Sequence, residues 1–289
     1  MPASKEKLDS SALSVKTLGV IAGGGALPLK LLHACDDLGI EPFIVAFDGQ
    51  TDPALVQGYE HMWTRFGAIG KIIKTLKSHD VRDLVMIGKM RRPSMAELKP
   101  DLKAAELIAK LGFGALGDND FLGVIRKFLE AEGFEIHGVH KFATDLLAPS
   151  GVIGKHKPGK ADWADINRGL EVSLGMGHLD VGQSVIVQEG IVLGVEAIEG
   201  TDALMKRCGD LMRGGRKAVL VKTCKPQQDR DFDLPTIGPE TIENAAHSGL
   251  GGVVIHAGHS LVYDLDGVVQ TANKHKLYVV GVDPSEDQV

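Results

Sequence analysis

Leu18-Gly19-Val20-Ile21-Ala22-Gly23-Gly24-Gly25-Ala26-Leu27-Pro28 is the stretch whose reading decides the fold class. Its apolar opening is too short for a helix and runs directly into three glycines. An apolar-periodic segment follows over residues 29–38 and stops at Gly39, which predicts a strand, a tight turn and a helix in succession. Glycines at such a turn bring backbone N–H groups close to a phosphate at a helix N-terminus. The same glycines also suit a tight turn that binds nothing. A dinucleotide fingerprint G-x-G-x-x-G needs a third glycine or small residue where this chain has Pro28, so that match fails.

Working outward, residues 43–47, 84–87 and 134–139 read as strands, and 70–79, 103–111 and 120–132 as helices. Strands alternating with helices indicate a parallel sheet covered on both faces. Past residue 145 the periodicity fades among prolines, glycines and lysines, which predicts a connection over 146–160. The second half then reads as a helix over 162–176, a hairpin of 184–188 with 191–197, and a helix from 201 to about 213. A buried strand at 218–221, a helix at 239–247, a strand at 253–255, a helix ending at 276 and a last strand at 277–282 complete it. The expected architecture is α/β. It comprises a disordered tail (1–16), an N-terminal Rossmann-like parallel-sheet domain (17–145), a linker (146–160) and a C-terminal mixed α/β domain (161–289), with a ligand cleft between the domains.

Composition narrows the function classes. A net charge of −6 argues against a nucleic-acid partner. Three cysteines, odd in number and far apart, form neither a disulfide framework nor a zinc knuckle, which suits a reducing cytoplasm. No apolar run reaches the length of a membrane-spanning helix, and residues 1–16 lack the apolar core of a secretory signal.

The densest candidate chemistry lies in Lys222-Thr-Cys-Lys-Pro-Gln-Gln-Asp-Arg-Asp-Phe-Asp-Leu-Pro-Thr-Ile-Gly238, between a buried strand and a helix with proline at its first position. Loops at the carboxyl ends of strands are where open α/β sheets place ligands. If the segment is extended, Asp229, Asp231 and Asp233 share one face, since side chains alternate with period two. Carboxylates gathered in that way call for a proton or a hard cation, and oxygen ligands suit magnesium or manganese beside phosphate oxygens. Lys222 and Lys225 supply positive charge for the same phosphate. The competing reading is a solvated polar loop.

Three further groups each have an ordinary structural explanation. Gly117-Asp118-Asn119-Asp120 suits a helix cap, with Asp118 as the alternative ligand. Glu196 and Glu199-Gly200-Thr201-Asp202 stand at a helix start that Thr201 or Asp202 caps, or that holds a phosphate or ribose. His256, His259 and Asp264 lack the ligand types and spacing of a zinc site.

Taken in order, Ile21-Ala22-Gly23-Gly24-Gly25-Ala26-Leu27-Pro28, Asp180-Val181-Gly182-Gln183, Val195-Glu196-Ala197-Ile198-Glu199-Gly200-Thr201-Asp202-Ala203, Lys225-Pro226 and Asp233-Leu234-Pro235-Thr236-Ile237-Gly238 resemble the LpxI family of UDP-2,3-diacylglucosamine pyrophosphatases. The likeness runs from about residue 18 to residue 284. It implies a two-domain hydrolase of lipid A biosynthesis in Gram-negative bacteria. Such an enzyme needs a divalent cation, magnesium or alternatively manganese, and cleaves UDP-2,3-diacylglucosamine to UMP and 2,3-diacylglucosamine 1-phosphate (lipid X). It also implies a ligand held between the domains and an essential aspartate at Asp233. Asn119, Asp231 and His256 depart from the family pattern, standing where an aspartate, an arginine and a glutamate are usual.

The resulting expectation makes Asp233 and Asp229 the catalytic and metal-holding residues. Gly24, Gly25, Lys89, Asp118, Gln183, Thr201, Asp202, Lys222, Lys225 and Gln228 form the substrate-binding set. An amphiphilic substrate further implies a cytoplasmic protein in transient contact with the inner membrane's cytoplasmic leaflet, and a homodimer is compatible with the reading. Two rivals are a noncatalytic carrier of the nucleotide-sugar lipid and an NAD(P)-dependent oxidoreductase.

Overall fold

A computed structural model describes residues 14–91, 99–111, 118–232 and 234–285, of which 110, 111 and 118–122 are described by backbone alone. The chain divides into two compact units, one ending at Thr144 and the other beginning at Asp145.

In the first unit β1 (Thr17–Ala22) leads into α1 (Leu27–Leu38), followed by β2 (Glu41–Phe47), β3 (Glu60–Thr64), α2 (Ile69–Ser78) and β4 (Asp83–Ile87). Then come α3 (Leu102–Leu111), α4 (Asp118–Ala131) and β5 (Glu135–Ile136). The five strands are all parallel, in the order β3-β2-β1-β4-β5. Burial on both faces explains the unbroken apolar runs of β1 and β2. α1 starts at Leu27, two residues earlier than its periodicity suggests, because Pro28 is tolerated in a first turn whose amides have no intrahelical partner. β3 has no counterpart in the sequence reading. It is an edge strand with mixed composition and partial exposure, so it lacks the continuous apolar signal of its neighbours. The strand expected over 134–139 shrinks to two residues, after which a 3-10 turn at Val139–Lys141 carries the chain out of the sheet.

The second unit has a six-stranded mixed sheet, β6-β13-β11-β9-β7-β8, and a two-stranded pair, β10 with β12. Its elements are β6 (Gly151–Ile153), α5 (Lys160–His178), β7 (Ser184–Gln188), β8 (Ile191–Val195), α6 (Thr201–Gly209), β9 (Val219–Lys222) and β10 (Thr236–Ile237). They continue with α7 (Pro239–His247), β11 (Gly252–His256), β12 (Leu261–Val262), α8 (Leu265–His275) and β13 (Tyr278–Val282). Part of the stretch expected to be a linker over 146–160 is thus a strand, β6, pairing antiparallel with β13. Pairing with a strand far along the chain leaves no periodic mark on a three-residue segment. α6 ends at Gly209 rather than near 213, where Leu211 N–H turns back onto the Cys208 carbonyl.

Helices cover both faces of this sheet. α5 buries Ile166 and Leu170 against Val185, Val219, Val221, Val254 and Val280. On the opposite face Leu204 and Met205 of α6, Ile242 and Ala245 of α7, and Val268 and Ala272 of α8 pack on Ile186, Leu220, Val253 and Val279. Each such large side chain contributes about 1.5–3 kcal/mol on burial, which fixes the strand ends that carry the site.

Candidate functional site

β9, β11 and β13 are parallel, so their carboxyl ends share one edge of the second sheet. Lys222 is the last residue of β9, His256 the last of β11, and Asp283 follows β13. β7 runs the other way, which puts its first residue, Ser184, in register with Lys222. The loop between β9 and β10 therefore starts beside the α5–β7 turn and the β8–α6 turn.

That loop is not extended. Gln228 N–H donates to the Lys225 carbonyl at 3.0 Å, and Phe232 N–H donates to the Asp229 carbonyl at 3.0 Å, closing two successive turns. The period-two face expected for Asp229, Asp231 and Asp233 consequently does not form at Asp229 and Asp231. Pro226 excludes a ladder hydrogen bond at the first turn, and Asp229 stabilises the second by accepting the Asp231 N–H at 3.0 Å through Oδ1. Asp229 and Asp231 are both partly buried, whereas Asp233 lies outside the described residues.

Long-range contacts pin the loop. Lys225 Nζ donates to Asp180 Oδ1 at 2.7 Å, in a pair with side chains 12% and 27% exposed. Gln227 Nε2 reaches the Gly177 carbonyl at 2.6 Å, and Arg230 Nη2 reaches the Gly258 carbonyl at 2.7 Å. Gln228 faces inward, its Oε1 accepting from Lys225 N–H at 3.1 Å and Cys224 Sγ at 3.5 Å. Lys222, buried, donates from Nζ to the Thr236 carbonyl at 3.2 Å, joining the loop's two ends. Lys225 is thus bound to a carboxylate in this state, so its charge is partly offset at its own site. Gln228 acts here as a brace for the turn.

The turns beside the loop form a second network. Thr223 N–H donates to the Gln183 carbonyl at 3.0 Å, and the Ser173 hydroxyl meets both that carbonyl, at 2.8 Å, and Thr223 Oγ1, at 2.6 Å. Thr201 does not cap α6, whose N-cap is Gly200. Its hydroxyl instead donates to Glu196 Oε1 at 2.8 Å, holding a buried carboxylate whose Oε2 accepts from Gln183 N–H at 3.4 Å. Gln183 Oε1 is buried with no hydrogen-bond partner among the described residues. Asp202 accepts from Asn244 Nδ2 at 3.0 Å, fastening α6 to α7.

His256 and His259 stack beyond β11, with ring centroids 4.4 Å apart. Burial first, then the neighbouring His259 ring, pushes His256 down to about 4. Burial and the Arg230 guanidinium lower His259 as well. Arg230 was not among the expected site residues. Nothing in its local sequence marks a cation that reaches a turn 28 residues away.

In the first unit, Gly24 and Lys89 exchange backbone hydrogen bonds, each amide donating to the other's carbonyl at 2.8 Å. They join the carboxyl ends of β1 and β4, between which the strand order reverses, the usual ligand crevice of an open parallel sheet. The Gly24 amide is therefore spent on Lys89 rather than presented to a phosphate. A Cβ at Gly24 would lie 2.9 Å from the Gln50 carbonyl oxygen, so close loop packing accounts for the glycine. Gly25 sits at φ +92°, a conformation that favours glycine, and the Lys89 side chain is exposed. Asp118 is the first residue of α4, and its side chain lies outside the described residues.

Asp83, Glu135 and His137 approach one another at the amino end of β4 and around β5, with His137 Nε2 2.6 Å from Asp83 Oδ1. Their polar atoms lie within 4.8 Å of one another, so they are a group able to hold a metal on spacing alone. In the second-unit loop the donor set is different: Asp229 and its aspartate neighbours offer oxygen ligands only. That chemistry fits magnesium or manganese better than zinc.

A parallel-sheet unit joined to a mixed-sheet unit whose carboxyl edge gathers amines, carboxylates and imidazoles defines a two-unit α/β protein. Residues 17–146 match the LpxI N-terminal domain, and residues 149–280 match the LpxI C-terminal domain. The chain belongs to the LpxI family. It is 39% identical over 279 residues to the UDP-2,3-diacylglucosamine pyrophosphatase LpxI of Caulobacter vibrioides (strain ATCC 19089 / CIP 103742 / CB 15), an alignment that covers 94% of this chain and 99% of that protein.

Proposed function

We propose that the chain hydrolyses the pyrophosphate bond of UDP-2,3-diacylglucosamine, giving UMP and 2,3-diacylglucosamine 1-phosphate in lipid A biosynthesis. The observation that carries this reading is near full-length similarity to a pyrophosphatase of that specificity. The carboxyl edge of the second sheet supports it by assembling the charged groups such a reaction uses.

Breaking the anhydride puts growing negative charge on the leaving phosphate, and fixed cationic and hydrogen-bonding groups lower the barrier by stabilising that charge. Lys222 is the amine best placed for this role, since β9 and the Thr236 carbonyl hold it at the strand's end. Lys225 contributes once its pairing with Asp180 is exchanged for a phosphate oxygen. Asp229 and Asp233 would hold magnesium, which supplies charge neutralisation to the diphosphate when bound. Gln183 and Thr201 line the adjoining turns and suit the sugar or nucleoside hydroxyls. Gly24, Gly25, Lys89, Asp118 and Asp202 stay in the proposed substrate set, with Gly24 acting through loop shape rather than its amide. Of the thiols, Cys35 and Cys208 are buried and shifted upward by burial, which makes them poor nucleophiles; in this proposal water is the attacking group.

The acyl chains need an apolar surface. Leu179 (77% exposed), Val181 and Ile198 present one beside the loop, since Asp180 is tied to Lys225 and Gly182 packs against the Glu196 carbonyl. Among the described residues no helix is long and apolar enough to cross a membrane, so contact with a leaflet is peripheral in this proposal. The test is phosphorus NMR of UDP-2,3-diacylglucosamine in ¹⁸O water with magnesium, with EDTA, and with Asp233→Ala. Release of UMP that EDTA and the substitution both abolish is expected. Binding of the nucleotide lipid by wild-type protein without UMP release would leave the carrier reading instead.

A further inference from the structure

His256, His259 and Arg230 converge at the carboxyl ends of β11 and β13, beside the loop that carries the proposed chemistry. The two imidazoles stack with planes 24° apart, and Arg230 is held at the turn between them through the Gly258 carbonyl. Asp283 is the carboxylate both rings feel, and its Oδ1 already accepts from the Ser285 amide and hydroxyl at 2.8 and 2.7 Å. Two polar atoms of this turn, His256 Nδ1 and Ser260 Oγ, are buried with no hydrogen-bond partner among the described residues. Buried polar atoms are nearly always satisfied, and an unsatisfied one at a ligand-binding edge points to a missing partner.

We propose that His256, His259 and Arg230 form an oxyanion subsite that takes a phosphate group of the substrate or of a product. This assignment rests on the pyrophosphatase reading and specifies which side chains outside the aspartate loop meet phosphate. Arg230 supplies fixed positive charge beside two protonatable rings, with Asp283 the carboxylate acting on both, and the site becomes net attractive to an anion as the rings take up protons. Burial lowers both imidazoles, His259 and Arg230 adding to it at His256 and Arg230 at His259, which favours the uncharged rings while the subsite is empty. An oxyanion beside them opposes the repulsion from Arg230, so the rings gain protons as it binds. The subsite therefore couples anion binding to proton uptake.

Sulfate tests this cleanly, because it exchanges no proton of its own near neutrality. Calorimetric titration of sulfate into the full chain at pH 6.5, in two buffers of different ionisation enthalpy, should show uptake on the order of half a proton or more. His256→Gln and His259→Gln should each reduce that uptake. Arg230→Gln, at an exposed position, should weaken sulfate roughly tenfold while the fold, read by circular dichroism, is unchanged. UMP and glucosamine 1-phosphate are then competed against sulfate, and whichever displaces it identifies the phosphate that occupies the subsite. Sulfate binding without proton uptake, uptake undiminished from wild type in both histidine variants, or displacement by neither compound would overturn the assignment. Turnover of UDP-2,3-diacylglucosamine is followed in parallel. Turnover without proton-linked sulfate binding removes the subsite alone, and linked binding without turnover removes the hydrolase reading alone.

Discussion

Gly169 and Gly175 lie in the same helix, α5, and the structure assigns opposite signs to the same substitution at the two sites. In an exposed helix interior, Gly→Ala stabilises by about 1 kcal/mol, through helix propensity and reduced freedom of the unfolded chain. Gly175 is exposed, and a Cβ there would have no heavy atom within 4 Å, so Gly175→Ala should deliver that gain. At Gly169 the added carbon would lie 2.9 Å from Val221 Cβ and 3.6 Å from Val185 Cγ1. Val221 is fully buried in β9, and its Cβ cannot move without the strand. Overpacking of this kind costs about 1–3 kcal/mol, which offsets the propensity gain and leaves Gly169→Ala up to about 2 kcal/mol less stable. The next residue after Val221 is Lys222, so a displaced strand should also lower turnover, whereas Gly175→Ala should leave it unchanged. Urea unfolding midpoints for the two variants and wild type, with m-values checked for constancy, measure the difference. Equal stabilisation by both substitutions would refute the packing of α5 onto β9 at Gly169.

Stability should fall as pH drops from about 6.5 toward 4. His256 is pushed down to about 4 by burial first and His259 second, so the unfolded chain binds more protons than the folded one in that window. His256→Gln should flatten the acid side of a urea-midpoint profile, and an unaltered slope would show that another group governs it. Leu179→Asp should reduce sedimentation with phosphatidylglycerol vesicles several-fold while UMP release from detergent-dispersed substrate persists. Unchanged vesicle binding would place lipid contact elsewhere.

Legibility in the sequence followed the range of the interaction. β1, α1, β2, α2, β4, α5, the β7–β8 hairpin, β9, α7 and β13 each carry a local signature of apolar period, turn glycine or helix-start proline. β3 and β6 do not: β3 is a partly exposed edge strand of mixed composition beside β2, and β6 exists only by pairing with β13, far along the chain. The loop over 223–235 was recognisable as charged and placed after a strand, yet its shape was not. Three tethers bend it: Lys225 to Asp180, Gln227 to Gly177 and Arg230 to Gly258. Thr201 illustrates the same limit. Its position at a helix start suggests a cap, but a carboxylate brought near by the β8–α6 turn competes for the hydroxyl and wins.

Residue order alone determined that the chain is α/β in two parts, that a densely charged loop follows β9, and that its motifs resemble the LpxI family. Periodicity and turn chemistry act over a few residues, and short motifs preserve them. Tertiary structure alone decided that Gly24 spends its amide on Lys89, that Asp229 and Asp231 sit in a turn instead of on one strand face, and that Arg230 reaches the Gly258 carbonyl between two stacked histidines. Those outcomes depend on which distant groups packing brings within hydrogen-bonding reach, and local sequence does not encode that distance.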